Sequence, residues 1–574
     1  MNGERRGLIT TWAWQLAMGL KKGVERLVSP LVTVNCAPTA VKARTIWSNE
    51  TLEAARSILA TRGWLSPKNG IWLSSIELAT IPGSATASAS GNRTSLARAG
   101  AGPIGHQTMF HRLIRFLLVV SVLHGGSLAI AQETRPPNIV FIVADDLGWT
   151  DLGCQGSKYY ETPHIDRLAR EGRRFTDAYT AGPNCQPTRA ALMSGQYGPR
   201  TGVYTVGAAS RFDTSKQPLV PVQNVVTLPL NRVTVGAAMK QAGYATALIG
   251  KWHLGEGPAH HPGQRGFDTA VVSMGKHFDF ATNPKTAVPK GAYLADWLTD
   301  RAEDFVRKNK DQPFFLCLTH FGVHSPFEAK KGLIDHFRDK PGEGGHRDPT
   351  YAAMIASVDE SVGRMMKLID DLKLGENTVI IFTSDNGGVG GYEAIANNAG
   401  ITSNRPLRGG KGMLYDGGVR VPWIVRWKGT TSPGSTCSEP IISVDLFPTC
   451  MSLAKFPRSK AVPSSQPLDG ADLTPLFRGD GSAKLDRKAI YWHFPGYLGQ
   501  GKNAWRTKPA GAIRAGDWKL HEFFIDGKLE LYNLRDDIGE TKNLADAQPE
   551  RRDELVRMLR AWRTEIGAPM PAKR

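Results

Sequence analysis

Residues 132–468 predict an α/β fold, a large mostly parallel sheet with helices on both faces, and residues 469–574 a small antiparallel sheet with one helix. Three observations carry this. Runs that are apolar at every position, as in strands buried on both faces, alternate with stretches of helical period. Polar residues close the strands rather than interrupt them. Beyond Asp469 the long runs give way to short strands joined by tight turns.

The first strand is 138–144, Asn-Ile-Val-Phe-Ile-Val-Ala, and it ends in Asp145-Asp146. A helix begins at Thr162-Pro163, because proline suits a first helical turn and threonine a cap, and runs through Ile165, Leu168 and Ala169 to Gly172. Helix 235–241 leads to strand 244–249, helix 294–306 to strand 314–318, and the long helix 351–372 to strand 378–383. Segments 489–494, 511–523 and 528–534 read as short strands with turns such as Ala515-Gly516-Asp517, followed by a helix over 550–566. No internal repeat is present. In open sheets of this kind ligands collect beyond the carboxyl ends of the strands.

The chain has 574 residues and a formal net charge of +18. From Met109 a basic start (Arg112, Arg115), an apolar run over 116–123 and the site Ala129-Ile130-Ala131 have the form of a secretory signal peptide, 109–131, too short to span a bilayer. Translation is therefore expected to start at Met109. Residues 1–108, with no sustained period and an Ala/Ser/Thr/Gly stretch over 83–91, are expected to be a spurious upstream extension without a fold, the alternative being a genuine N-terminal domain. Cleavage after Ala131 leaves 443 residues with a charge of about +9. A moderately basic exported protein suits a polyanionic substrate, although charge alone decides nothing. No helix-turn-helix, zinc-finger or RNA-binding signature points to nucleic acid. Cys154, Cys185, Cys317, Cys437 and Cys450 remain, an odd number that leaves a thiol over; Cys185 is the candidate, and Cys437 with Cys450 is one available pairing that spacing cannot establish.

Three groups of residues carry chemistry. Cys185-Gln186-Pro187-Thr188-Arg189 places proline in a first helical turn and Cys185 at the N-terminus, where free N–H groups and the dipole favour an anion. Asp145 and Asp146 close one strand, and Asp385 and Asn386 another. These hard oxygen donors suit Ca²⁺ or Mg²⁺, with ordinary turn formation as the bland alternative. Gly250-Lys251-Trp252-His253, His324-Ser325-Pro326 and Gly409-Gly410-Lys411-Gly412 supply cations and imidazoles that can bind a tetrahedral anion and exchange protons with it; singly, such a lysine is more often a solvated surface charge and such a histidine a satisfied loop residue.

Together, in this order, the double Asp, Cys-x-Pro-x-Arg, Gly-Lys-Trp-His, His-x-Pro, Asp-Asn-Gly, and Gly-Lys-Gly followed by Asp416-Gly417-Gly418-Val419-Arg420-Val421-Pro422 resemble the type I, arylsulfatase-like sulfatases of the alkaline phosphatase superfamily, over 136–566. The resemblance implies that Cys185 is oxidised to formylglycine by a formylglycine-generating enzyme, and that Asp145, Asp146, Asp385, Asn386 and the modified Cys185 bind one Ca²⁺, with Mg²⁺ as the alternative. It implies that Arg189 holds the formylglycine, that Lys251, His324 and Lys411 contact sulfate, that His324 or Lys411 protonates the leaving alcohol, and that His253 acts as base. The function implied is hydrolysis of a sulfated carbohydrate or aryl sulfate by a secreted or periplasmic enzyme. A phosphonate or phosphodiester hydrolase, and a non-catalytic binder of sulfated glycans, are the alternatives. Thr188 and Asp416 depart from the commoner Ser and Glu, and His320 or His336 could replace His324. Sugar recognition is expected from loops 202–226, 279–292, 335–347 and 495–509, with Tyr204, Arg211, His277, His493 and Trp505 as candidates beside an ordinary loop role for each.

Overall fold

The structure, a computed structural model, describes residues 31–33, 44–46, 135–392, 400–500 and 505–574. The predicted signal peptide lies outside them. The chain divides into two units, 1–126 and 127–574. Of the first, the described residues are the strands Leu31–Thr33 and Arg44–Ile46, paired antiparallel, in a segment for which the sequence predicts no fold.

The second unit is built on an eight-stranded sheet: β1 (Asn138–Ala144), β2 (Arg173–Phe175), β3 (Ala245–Gly250), β4 (Thr269–Val272), β5 (Phe314–Thr319), β6 (Thr378–Ser384), β7 (Trp423–Trp427) and β8 (Ser435–Cys437). Their order is β8-β2-β7-β6-β1-β5-β3-β4, and β7 alone runs against the others. Every residue of β1 is buried. Because side chains alternate across a strand, Val140 and Ile142 enter one core and Ile139, Phe141 and Val143 the other. Each such side chain contributes about 1.5–3 kcal/mol relative to exposure.

The first core is covered by α1 (Pro163–Glu171), α4 (Leu294–Asn309) and α6 (Pro349–Asp371), through Ile165, Leu298 and Val362 among others. The second is covered by α2 (Cys185–Ser194), α3 (Val235–Gln241) and α7 (Leu446–Leu453), through Leu192, Met239 and Phe447. Helix α5 (Lys331–Arg338) occupies the start of the expected loop 335–347. Cys437 and Cys450 are buried in the second core as free thiols. Among the described residues no helix is long and apolar enough to cross a membrane.

The C-terminal sheet comprises β9 (Ile490–Phe494), β10 (Ala510–Ala515), β11 (Trp518–Phe523) and β12 (Leu529–Asn533), antiparallel throughout in that order. The predicted stretch 511–523 is a hairpin turning at Gly516. Helix α8 (Pro549–Glu565) packs Leu555, Leu559 and Trp562 into its core, which also takes in Tyr179, Ala191 and Leu414 from the larger sheet's side.

The expected Thr162 cap is replaced by a tertiary one. Thr162 makes no cap bond; its hydroxyl accepts from Gly153 N (2.9 Å) and donates to Asp166 (2.9 Å). Asp359 of α6 caps α1 instead, accepting from His164 N (3.1 Å) and Ile165 N (2.7 Å). A carboxylate with two N–H donors outcompetes a hydroxyl already engaged. Asp359→Ala is therefore expected to lower stability by about 1–2 kcal/mol in chemical denaturation; an unshifted midpoint would refute the cap.

Candidate functional site

Strand register assembles the site. β1 and β6 pair in parallel with Ala144 opposite Ser384, so Asp145 and Asp385 leave the sheet side by side. β3 ends opposite Thr319, and Lys251 N bonds Thr319 O at 2.7 Å. Gly250 makes that turn at φ 117°, where a Cβ would lie 2.0 Å from Thr319 O, so no other residue fits. Asp146 (φ 66°) and His253 (φ 62°) adopt the left-handed conformation that non-glycine residues visit mainly at constrained or functional positions. Val323 N reaches Asp145 O (2.6 Å), bringing in the turn that carries His324.

Cys185 is the first residue of α2, whose ten residues are all buried. Gly412 N donates to Pro183 O (2.7 Å) and Lys411 N to Gly388 O (3.0 Å), so three segments converge on the cysteine. The loop after β6 and the glycine-rich loop around Lys411 interlock main chain on main chain: a Cβ on Gly387 would lie 1.9 Å from Gly417 O, and one on Gly410 1.9 Å from Gly390 O.

Opposite charges pair off within this pocket. Lys251 is bonded to Asp145. Arg189 clamps Asp385 Oδ2 through Nε (2.8 Å) and Nη2 (2.7 Å), and its Nη1 donates to Lys251 O (2.7 Å). Lys411 Nζ donates to Asp146 Oδ2 (2.6 Å), which also lies 3.6 Å from His324 Nε2, while Asn386 Nδ2 donates to Asp146 Oδ1 (2.9 Å). Burial raises the Asp145 carboxyl, but Lys251, His324, Arg189 and Lys411 outweigh it and hold this group well below the usual carboxylate range. At Asp385 burial and the neighbouring Asp145 charge prevail over Arg189, pushing the carboxyl up to about 7. Burial likewise pushes the Cys185 thiol up to about 11, against Lys251 and Lys411.

The donor set fits a hard cation. Asp145, Asp146, Cys185 and His324 each offer a ligand atom within 4.8 Å of the others. Asp145 Oδ1 and Asn386 Oδ1 are buried oxygens with no hydrogen-bond partner. Asp385 stands with both oxygens engaged, Oδ1 accepting from Asp146 N (3.3 Å) and Oδ2 from Arg189. Two orphaned oxygens beside a carboxyl raised to about 7 mark a site short of positive charge, which a divalent ion relieves.

Burial, reinforced by Lys251 and Arg189, pushes the His253 imidazole down to about 3, leaving it neutral with Nδ1 buried and unpartnered. Of the alternative histidines, His320 is buried against Ser361 (2.9 Å) and His336 pairs with Glu161 (2.9 Å). The sugar candidates divide. His277 is buried, bonded to His324 O (2.8 Å); His493 is buried, bonded to Pro569 O (2.8 Å); Tyr204 packs edge-on against His493. His277 and Tyr204 face inward because the loops carrying them fold back on the core, and His493 because it lies in β9 on a buried face of the small sheet. Arg211 and Trp505 flank Phe212 toward solvent. Sequence reasoning missed Tyr351, whose hydroxyl lies 2.8 Å from Asp151 and 3.2 Å from Asp146 O and braces the left-handed turn; nothing local in a tyrosine of α6 signals this.

Comparison with known proteins places this arrangement. The sulfatase family model matches residues 137–456, and that of the N-sulphoglucosamine sulphohydrolase C-terminal region matches 410–565. A sulfatase of Formosa agariphila is 33% identical over 541 residues, covering 80% of this chain and 94% of that protein. The N-acetylgalactosamine-6-sulfatase of Canis lupus familiaris is 33% identical over 471 residues, covering 77% and 82%. Among solved structures Ps i-CgsB superposes with a TM-score of 0.61 at 30% identity, covering 75% of this chain and 93% of that one, and it has been crystallised in complex with k-i-k-neocarrahexaose.

Removing one partner of a buried pair leaves the other charge uncompensated. Lys251→Ala is expected to destabilise chelator-treated protein by about 3–5 kcal/mol, read from the denaturant midpoint. A change below 1 kcal/mol would mean that Lys251 does not carry the compensation of Asp145.

Proposed function

This chain belongs to the sulfatase family of sulfuric ester hydrolases in the alkaline phosphatase superfamily, and on that premise we propose that it is an exported enzyme that desulfates a sulfated carbohydrate with Cys185 converted to formylglycine and one Ca²⁺ bound. The observation that carries the proposal is the setting of Cys185. Its thiol, pushed up to about 11 by burial, stays protonated at neutral pH and is a poor nucleophile as it stands, yet Lys251, Lys411, Arg189 and the acidic pocket are all directed around it. Conversion to the aldehyde hydrate supplies a hydroxyl nucleophile and a second hydroxyl whose deprotonation releases sulfate. A carbohydrate substrate is supported by the N-acetylgalactosamine-6-sulfatase relative and the neocarrahexaose complex of Ps i-CgsB, and export by the signal-like segment 109–131.

Asp145, Asp146, Asp385 and Asn386 would hold the ion, with Asp145 Oδ1 and Asn386 Oδ1 as the free donors; a divalent ion supplies polarisation of sulfate oxygens. Lys251 and Lys411 neutralise the anion. Both ammonium groups are raised above their usual range because, against burial, Asp145 and Asp146 respectively outweigh desolvation, so both are charged at any working pH. Negative charge builds on the ester oxygen as the S–O bond lengthens, and His324 or Lys411, both partly exposed, can deliver a proton to it. Arg189 fixes Asp385 and the carbonyl of Lys251, keeping the floor rigid. The neutral His253 is in the proton-accepting form required to deprotonate the second hydroxyl.

Two experiments test this. The Cys185 peptide from protein made in its native host is expected to carry the mass of an aldehyde rather than a thiol, and Cys185→Ala to abolish sulfate-ester hydrolysis while the protein stays folded. An unmodified thiol in active protein would overturn the assignment, and faster turnover of paired phosphate esters would favour the phosphorus chemistry. Chelation is expected to lower the melting temperature and Ca²⁺ to restore it in the parent protein, whereas Asp145→Ala shows no calcium response. An equal response in both would remove Asp145 from the ion site.

A further inference from the structure

Exposure within the pocket is uneven. Asp145, Asp146, Asp385, Lys251 and Arg189 have side chains at most 4% exposed, whereas Lys411 is 16% and His324 25% exposed. The mouth therefore opens where Lys411, His324 and the half-buried His253 lie, and the alcohol of a bound ester must leave past them. On the Lys411 side lies a cleft of about 630 Å³ lined by Arg405, Arg408, Tyr415, Arg506 and Glu540. Arg506 is tied to the catalytic loop: its Nη1 donates to Lys411 O (3.3 Å), and its guanidinium lies 4.1 Å from the ring centroid of Tyr392, whose hydroxyl donates to the same carbonyl (3.0 Å). Gly412 makes room for it, since a Cβ there would stand 2.8 Å from Arg506 Cδ. The Arg506 guanidinium is thus held against the main chain of the residue that carries the Lys411 ammonium.

The cleft is cationic in its lining. Arg408 lies 3.9 Å over Tyr415 and is held by Tyr532 Oη (3.0 Å) and Glu540 O (2.9 Å), and Arg405 is exposed. Among the described residues the one lining carboxylate, Glu540, is fully buried and committed inward, to Lys519 (3.1 Å), His521 (3.0 Å) and Asp416 N (2.6 Å). Guanidinium groups stacked on aromatic rings are pre-oriented for two-point binding of a planar or tetrahedral oxyanion.

We propose that this cleft is a subsite for a second oxyanion of the substrate, a sulfate or a uronate carboxylate near the scissile ester, with Arg506 and Arg405 as its ligands. The proposal rests on the sulfatase reading and makes the enzyme selective for multiply charged sugars. Its test is a binding measurement in the Cys185→Ala background, with three tetrasaccharide probes: a neocarratetraose bearing one sulfate per disaccharide, one bearing two, and a chondroitin sulfate bearing one sulfate and one carboxylate. At least one of the probes with two anionic groups per disaccharide is expected to bind about tenfold or more tightly than the one with a single sulfate per disaccharide, which one identifying the oxyanion. Adding Arg506→Ala is expected to remove most of that preference, Arg506→Lys to restore part of it, and the melting temperature reports whether each variant is folded. Binding of none of the probes, equal affinity for all three, or a preference that survives both Arg506→Ala and Arg405→Ala overturns the proposal. Turnover of a sulfate ester by the parent protein is scored separately, so failure of the catalytic reading is told apart from failure of the cleft.

Discussion

Three carboxylates and three cations meet in a largely buried pocket at the ends of two adjacent parallel strands, and their pairing is the constraint on which the rest depends. A buried charge costs several kcal/mol unless its partner is in place. Here the partners arrive from separate parts of the chain: Asp145 and Asp385 from β1 and β6, Lys251 from β3, Arg189 from α2, and Asp146 and Lys411 from the turns beyond. Each pair closes only if the register of β1 against β6, the seating of α2 and the fold of the glycine-rich loop are all correct. The arrangement couples correct folding to the geometry that the chemistry needs.

A second buried charge network binds the small sheet to this centre. Asp177 accepts from Arg420 (3.1 Å) and Arg514 (2.6 Å), and Asp416 pairs with Lys519 (2.7 Å). Arg514 and Lys519 belong to β10 and β11, whereas Asp177, Asp416 and Arg420 lie on the larger sheet's side. Asp416, shorter than the glutamate commoner in the family at this position, is still fully engaged. Beyond the expected boundary at 469 the small sheet shares both charge and apolar core with the region around α2.

Legibility followed the range of the interactions. β1, β5 and β6 are buried on both faces and read as unbroken apolar runs, so the structure meets their expected bounds to within a residue. The residues of the site lie in short motifs whose meaning is local, and the structure brings them together. What escaped depends on distant partners. Arg173 in β2 looks like a surface residue, but its guanidinium is consumed by carbonyls of 476–479, including Arg478 O at 3.1 Å. Asp359 caps a helix nearly two hundred residues away, and Arg506 acquires its place only when the antiparallel strand pair Leu498–Gln500 and Trp505–Thr507 folds onto Lys411. The inward turn of His277 and Tyr204 has the same origin, since no period in a loop says which side faces the core.

The interlocked glycine loops have a bearing on how this protein can change. Where Gly387 meets Gly417 and Gly410 meets Gly390, one wall of the pocket is made of main chain alone. Substitution there collides with backbone, so that wall is closed to gradual alteration. The cleft beside it is bordered by side chains, where an exchange alters side-chain contacts rather than main chain. The machinery that breaks the ester and the surface that chooses the sugar are thus built from materials of different mutability, and new specificities can arise by diversification of the rim while the interior is inherited intact.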